Sequence, residues 1–187
     1  MPVLLSEPDV YPNNLLQNIE SVARPGAQWW ALYTLSRREK KVMRSLHHRS
    51  IPFYSPLVHR RVRGKGGRPR DCYVPLFAGY VFLLGDHDQR EQVLKTNCIS
   101  RTLPVPDVTD LVRDLHRIWR LIQSDAPLVP EARLEPGTKV RVRNGPLADM
   151  EGMVIHRRGR QRLLVAVEFL RQGVSVSLDD FMVERID

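Results

Sequence analysis

From His59 to Arg70 the chain reads His-Arg-Arg-Val-Arg-Gly-Lys-Gly-Gly-Arg-Pro-Arg, with six Arg or Lys side chains and no acid among them. Clustered guanidinium and ammonium groups without a local counter-charge form a surface for phosphates, and arginine adds bidentate contacts to phosphate or guanine. Arg60, Arg61, Arg63, Lys65, Arg68 and Arg70 are therefore candidate DNA-binding residues, and Arg37 and Arg38 add positive charge upstream. The second set with usable chemistry is aromatic: Trp29 and Tyr33 at period-two spacing, then Phe77, Tyr80 and Phe82. Such side chains either fill a core or offer a partner protein a large rigid surface, tyrosine keeping its hydroxyl for the rim.

Catalytic constellations do not emerge. His47, His48, His59, His87, His116 and His156 have no carboxylate or cysteine at ligand spacing, and Cys72 and Cys98 form no CxxC pair. Gly64-Lys-Gly-Gly67 lacks the GxxxxGK[ST] order of a phosphate loop. We expect no catalytic residues, no metal and no cofactor, with both cysteines as reduced thiols. The early apolar run Val3-Leu-Leu5 is too short for a signal peptide, and nothing approaches a membrane span, so a cytoplasmic monomer is expected.

The net charge of +8 over 187 residues is uneven. Residues 1–27 carry one basic and three acidic groups, residues 28–126 carry 18 and 9, and residues 127–187 carry 10 and 9. The positive field belongs to the middle segment, which should meet a polyanion, whereas the nearly neutral tail is suited to a protein.

The elements that must position these residues follow from pattern. Residues 1–27, rich in Pro and Asn, read as a flexible leader. Trp29–Leu35 reads as a strand, and Ser36 with Glu39 has capping-box spacing, which predicts a helix from residue 37 with Val42, Met43 and Leu46 facing inward. The Gly-Lys-Gly-Gly centre predicts a hairpin tip, and a continuous strand is predicted over Val74–Leu84. A helix over Asp88–Lys95, a strand over Ile99–Leu103 and a long amphipathic helix opened by Asp107 or Thr109 complete a domain over residues 28–125. Residues 126–136, with three prolines, read as a linker, and residues 137–187 as a small barrel of five strands. Gly145, Gly152, Gly159 and Gly173 interrupt any helical reading of that tail, which predicts a permanent barrel.

Three segments carry a family resemblance. Pro136-Gly-Thr-Lys-Val-Arg-Val-Arg-Asn-Gly-Pro-Leu-Ala-Asp-Met-Glu-Gly152 resembles the KOW motif, and Pro75-Leu-Phe-Ala-Gly-Tyr-Val-Phe-Leu83 resembles the signature strand of the NusG amino-terminal (NGN) domain, with Ala78 where proline is usual. Trp29-Trp-Ala-Leu-Tyr-Thr-Leu-Ser-Arg-Arg-Glu39 resembles that domain's opening strand and helix. The resemblance implies an α+β fold, an NGN domain with an antiparallel sheet flanked by helices, followed by a small SH3-like β-barrel KOW domain. It also implies a transcription elongation and antitermination factor. Trp29, Tyr33, Phe77, Tyr80 and Phe82 would grip the clamp helices of RNA polymerase, and the basic hairpin would meet upstream or non-template DNA. In the tail, Leu147 and Met150 stand where the family commonly has phenylalanines; with Phe169 they would contact a small-subunit ribosomal protein, while the loss of flat rings argues against Rho. The leader, the altered loop and the basic hairpin favour a specialised RfaH-type paralogue. A general housekeeping factor and a ribosome-associated, RNA-binding KOW protein are the alternatives.

Overall fold

The computed structural model describes residues 7–63, 69–124, 126–134, 136–178 and 183–186, with backbone alone for residues 62, 63, 69 and 70. The chain divides into two compact units, residues 1–106 and 107–187.

In the first unit, β1 (Val10–Tyr11), β2 (Gln28–Thr34), β3 (Phe53–Tyr54), β6 (Tyr80–Gly85) and β7 (Ile99–Pro104) form an antiparallel sheet in the order β1-β3-β6-β2-β7. A separate two-stranded sheet joins β4 (Leu57–Arg63) to β5 (Pro69–Pro75). The helices are α1 (Ile19–Val22), α2 (Glu39–His48) and α3 (His87–Leu94). Strand β2 lies between β6 and β7, and its even-numbered residues Trp30 and Leu32 join Val42, Met43 and Leu46 of α2 in one hydrophobic cluster with Phe53, Val81, Leu83 and Val93. The opposite face is buried as well, at Trp29, Ala31 and Phe82. A strand buried on both faces reads as a continuous apolar run, which is how Trp29–Leu32 appears in the sequence. Asp86 and Gln89 form a reciprocal capping box at the start of α3, satisfying two early amides, and Arg90 stacks over the Trp30 ring at 4.7 Å.

The segment expected to be a flexible leader is built into this unit over its described residues. Val10 and Tyr11 pair with Tyr54 and Phe53, the Ser55 amide donates to the Asp9 carbonyl at 2.7 Å, and Leu15 and Leu16 are buried. Strand β1 thereby covers the edge of β3, whose backbone would otherwise be free to pair with another chain.

Two local expectations also change. Helix α2 begins at Glu39, because Arg37 adopts a left-handed backbone (φ 59°), and no side chain caps it. The strand expected over Val74–Leu84 breaks into β5 and β6, because Leu76–Gly79 turns and Gly79 has φ +84°.

In the second unit, β8 (Val129–Glu131), β9 (Thr138–Val142), β10 (Glu151–Arg157), β11 (Arg160–Val167), β12 (Gln172–Ser177) and β13 (Val183–Arg185) follow the order β13-β9-β10-β11-β12-β8. A 3-10 turn, Glu168–Leu170, precedes β12. Val140, Val142, Ile155, Leu163, Val165, Val174 and Val176 fill the interior of this SH3-like barrel. Gly152 has no room for a side chain: a Cβ there would lie 2.5 Å from the Leu164 carbonyl oxygen.

Helix α4 (Val108–Gln123), capped by the Asp107 carboxylate on the Asp110 amide, belongs to this unit. Its Asp114 is buried and accepts from the Glu168 amide at 3.1 Å, Arg117 pairs with Glu151 at 2.7 Å, and Arg120 donates to the Ala148 carbonyl at 2.8 Å. Burial pushes the Asp114 carboxyl above its ordinary pKa, an effect opposed by the Glu168 amide and by Arg113 and Arg117.

Residues 126–136, expected to be a linker, contribute β8 to the barrel sheet. Val129, Pro130 and Glu131 lie opposite Ser175, Val174 and Gly173. The strand is fastened by chemistry rather than by hydrophobic burial: the Ser175 hydroxyl donates to Glu131 at 2.7 Å, and the Arg157 guanidinium donates to the other oxygen at 3.2 Å. Replacing Glu131 by alanine removes the acceptor for a buried hydroxyl, a change that costs about 1–3 kcal/mol. Hydrogen exchange should report faster exchange at the backbone amides that join β8 to β12 in this variant, with β10 and β11 unaffected.

Candidate functional site

Tyr33 and Tyr80 are cross-strand neighbours on β2 and β6, their ring centroids 5.2 Å apart at 54°. Tyr33 is 40 % exposed, Tyr80 is half-buried, and Leu35 beyond the end of β2 is 47 % exposed. Partial burial and the neighbouring Tyr33 raise the Tyr80 phenol above its ordinary pKa, so at neutral pH it is an uncharged hydrogen-bonding group. The other aromatic candidates lie elsewhere: Trp29, Phe77 and Phe82 are 2 %, 2 % and 0 % exposed. Alternation does not make this division, because the register puts Trp29, Tyr33, Tyr80 and Phe82 on one face; Phe82 pairs with Ala31 in the covered part of the sheet, while Tyr33 and Tyr80 stand near the ends of their strands.

The tyrosine pair rests on a clamped loop. The Tyr33 ring lies over Gly79, where a Cβ would come within 3.0 Å of Cε2 in a backbone conformation that side chains disfavour. The Gly79 amide donates to Glu39 Oε1 at 2.8 Å, and the Gly79 carbonyl accepts from the Thr34 amide at 2.8 Å. Glu39, expected to close a capping box with Ser36, instead crosses from α2 to hold the turn that carries Tyr80. Its near-complete burial follows from that role. Sequence spacing offered the nearer partner, and only the fold brings residue 79 to residue 39.

Glu39→Ala is expected to lower stability by about 1–3 kcal/mol, because the Gly79 amide loses its acceptor. Glu39→Gln keeps an amide oxygen at that place and should melt within a few degrees of the native chain. Thermal unfolding of the two variants checks the assignment.

The basic candidates sit in two places. Arg37 and Arg38 are exposed at the start of α2, and Arg60 and Arg61 are exposed on β4. Arg63 and Arg70 fall within β4 and β5, their side chains outside the described residues, as are Lys65 and Arg68. Three hairpin residues were not singled out from sequence for binding: His59 and Tyr73 lie opposite one another with ring centroids 5.5 Å apart, and His59 Nε2 is 3.1 Å from Asp71. Counting outward from the Gly-rich tip would have paired them, but Tyr73 carries no signal until the register is known.

In the barrel, Leu147 and Met150 are buried at 0 % and 1 % exposure, and Phe169 is half-buried in the 3-10 turn. The Leu147 carbonyl accepts from the Met150 amide at 2.9 Å, and the Asp149 amide donates to Val142, so this loop folds its apolar side chains inward. A cleft of about 510 Å³ in the same unit is lined by Arg113, Arg117, Lys139 and Arg141 together with Asp114, Glu151 and Glu168. Arg117 and Arg141 share Glu151, and these bonds to arginine lower the Glu151 pKa, with the Arg141 hydrogen bond the largest cause. Cys72 is half-buried and Cys98 buried, both as free thiols, and among the described residues no cluster of three or more His, Cys, Asp or Glu could hold a metal ion. Among those residues, no helix is long and apolar enough to cross a membrane.

The class defined by this architecture is a two-unit protein, with an α/β unit built on a five-stranded antiparallel sheet followed by a small β-barrel. The family model described as "Transcription termination factor nusG" matches residues 27–131, and the chain belongs to the NusG family. It is 29 % identical over 177 residues to the Transcription termination/antitermination protein NusG of Pseudomonas aeruginosa, a match that covers 85 % of this chain and 98 % of the relative. Among solved structures it is similar to one described as "Domain interaction in Thermotoga maritima NusG", at 21 % identity and a TM-score of 0.45, over 86 % of this chain and 98 % of that one.

Proposed function

We propose that this protein is a transcription elongation and antitermination factor that docks on RNA polymerase through the Tyr33–Tyr80 pair and holds its β4–β5 hairpin against upstream or non-template DNA. The observation that carries the reading is a rigidly mounted tyrosine pair, Tyr33 exposed and Tyr80 half-buried, in a chain of the NusG family. Aromatic side chains on a pre-formed loop bury large area at little cost in ordering, which suits a small anchor on a helical partner. The similarity to the transcription termination/antitermination protein of Pseudomonas aeruginosa supports the same reading.

The mechanism is architectural. Anchored on the clamp helices, the first unit would favour the closed, elongating state of the polymerase in proportion to its differential affinity for that state. Arg37, Arg38, Arg60 and Arg61 would add salt-dependent contacts to nearby DNA. The barrel unit would recruit a second protein, for which a small-subunit ribosomal protein is the candidate, and the factor would work in the cytoplasm. The basic hairpin supports the finer reading of a specialised paralogue acting on particular operons.

Crosslinking the full chain in a bacterial lysate tests this reading, followed by gel filtration with purified core polymerase and a single-round elongation assay. Co-migration with polymerase and shortened pauses are expected. Crosslinks to ribosomal RNA with no polymerase association would overturn the reading in favour of a ribosome-bound protein.

A further inference from the structure

Among the described residues, the β4–β5 hairpin shares no strand ladder with the five-stranded sheet, so the direction in which it leaves that sheet is set at its base. Two connections form the base: Ser55 and Pro56 lead from β3 into β4, and residues 76–79 lead from β5 into β6. Leu57 belongs to the hydrophobic cluster of the unit, and the Leu76 amide donates to the Pro56 carbonyl at 2.8 Å, which draws the two connections together. These contacts fix where the hairpin starts. Rotation about so short a base has to be stopped by something else.

The amino-terminal segment supplies the stop. The Asp9 carbonyl accepts from the Ser55 amide at 2.7 Å, and the Asp9 carboxylate takes a hydrogen bond from the amide of Leu57, the first residue of β4. Ser55, 1 % exposed, donates its hydroxyl to the Tyr80 carbonyl at 3.3 Å, so one residue ties the first connection to the far end of the second. Asp9 is half-buried, and burial raises its carboxyl above the ordinary pKa, while hydrogen bonds from its own amide and from that of Leu57 oppose the rise. A residue that only preceded β1 would have no use for a half-buried carboxylate, which costs free energy unless it takes hydrogen bonds.

We propose that Asp9 is a positioning residue that locks the direction of the β4–β5 hairpin relative to the Tyr33–Tyr80 pair. This rests on the reading of the tyrosines as the polymerase anchor and of the hairpin as a DNA-facing arm, and it deepens that reading by naming what holds the angle between them. With the anchor seated, a hairpin already fixed in direction meets DNA without a further ordering cost. A hairpin free to swing holds the competent direction only part of the time, and its apparent affinity falls by that fraction.

The test uses the full chain. Spin labels at Arg61→Cys on β4 and Lys41→Cys on α2, in a Cys72→Ser background whose buried Cys98 stays unlabelled, report the hairpin's direction through the distance between them. With Asp9 in place the distance distribution should be single and narrow. Asp9→Ala should broaden it, and Asp9→Asn, which keeps an oxygen for the Leu57 amide, should restore it. A broad distribution with Asp9 intact would overturn the proposal without any variant at that position, as would a narrow one in a folded Asp9→Ala chain. The second readout is binding to core polymerase on a DNA–RNA scaffold that carries 5-iododeoxyuridine. Asp9→Ala should bind polymerase as the native chain does, since the backbone bond to Ser55 survives, while crosslinks from the scaffold to residues 57–75 fall about fivefold and return in Asp9→Asn. A parallel loss of polymerase binding and DNA crosslinks would mean that Asp9 supports only the fold, and the proposal would be wrong. If the native hairpin gives no DNA crosslinks while the spin-label distance is narrow and depends on Asp9, the reading of the hairpin as a DNA-facing arm fails and the lock on its direction stands.

Discussion

A chain shortened to begin at Gln28 is expected to unfold at much lower urea concentration than the full chain, with about 5 kcal/mol of stability lost. The residues removed include Leu15 and Leu16, at 0 % and 8 % exposure, and β1, which pairs with β3. Deleting a buried leucine side chain costs about 2–5 kcal/mol, because transfer free energy is lost and a cavity opens where neighbours relax only in part. Two such side chains, with the pairing and the edge-on contact of Tyr11 with His47, account for the total without invoking the Arg44–Glu7 pair, which is solvent-screened and contributes little. A loss of this size is a large share of the roughly 5–15 kcal/mol that holds an ordinary domain folded. Leu15→Ala alone should lower stability by about 3 kcal/mol, and urea unfolding of the three chains gives the comparison. An unchanged midpoint for the truncated chain would mean that this segment is a dispensable leader.

The same segment marks where sequence reasoning stopped. Two adjacent leucines among Pro, Asn and Gln have no period, so their burial is set by tertiary packing rather than by an amphipathic pattern. Where a period existed, the outcome was legible: Val42, Met43 and Leu46 face inward from α2, the stripe Leu111, Leu115 and Ile118 is buried on α4, and the alternation in β9 puts Val140 and Val142 inside. The carboxylates were not legible. Glu39 binds the distant Gly79 amide, Asp114 binds the Glu168 amide, and Glu131 binds Ser175, each across a separation that local spacing cannot encode. Asp114 also explains why α4 groups with the barrel although its periodicity alone assigned it to the preceding domain. For the candidate site, the sequence named five aromatic residues and exposure separates two of them from three. Alternation puts Trp29, Tyr33, Tyr80 and Phe82 on one face, and how far along the strands that face is covered depends on neighbours the sequence does not name.

Binding of core RNA polymerase by the full-length native chain and by a Tyr33→Ala, Tyr80→Ala variant is the most direct test of the central claim. Buried tyrosines at the middle of an interface each contribute about 2 kcal/mol or more when truncated, so the double variant should bind about 1,000-fold more weakly. The two rings touch at 5.2 Å, and the single variants complete a double-mutant cycle whose coupling measures how far they act as one anchor. Both residues lie at the surface of an otherwise intact sheet, so the variant should keep the circular dichroism and melting profile of the native chain. Native binding with loss in a folded double variant is the result this account requires. A folded double variant that binds polymerase within threefold of the native chain would contradict it and move the anchor away from Tyr33 and Tyr80.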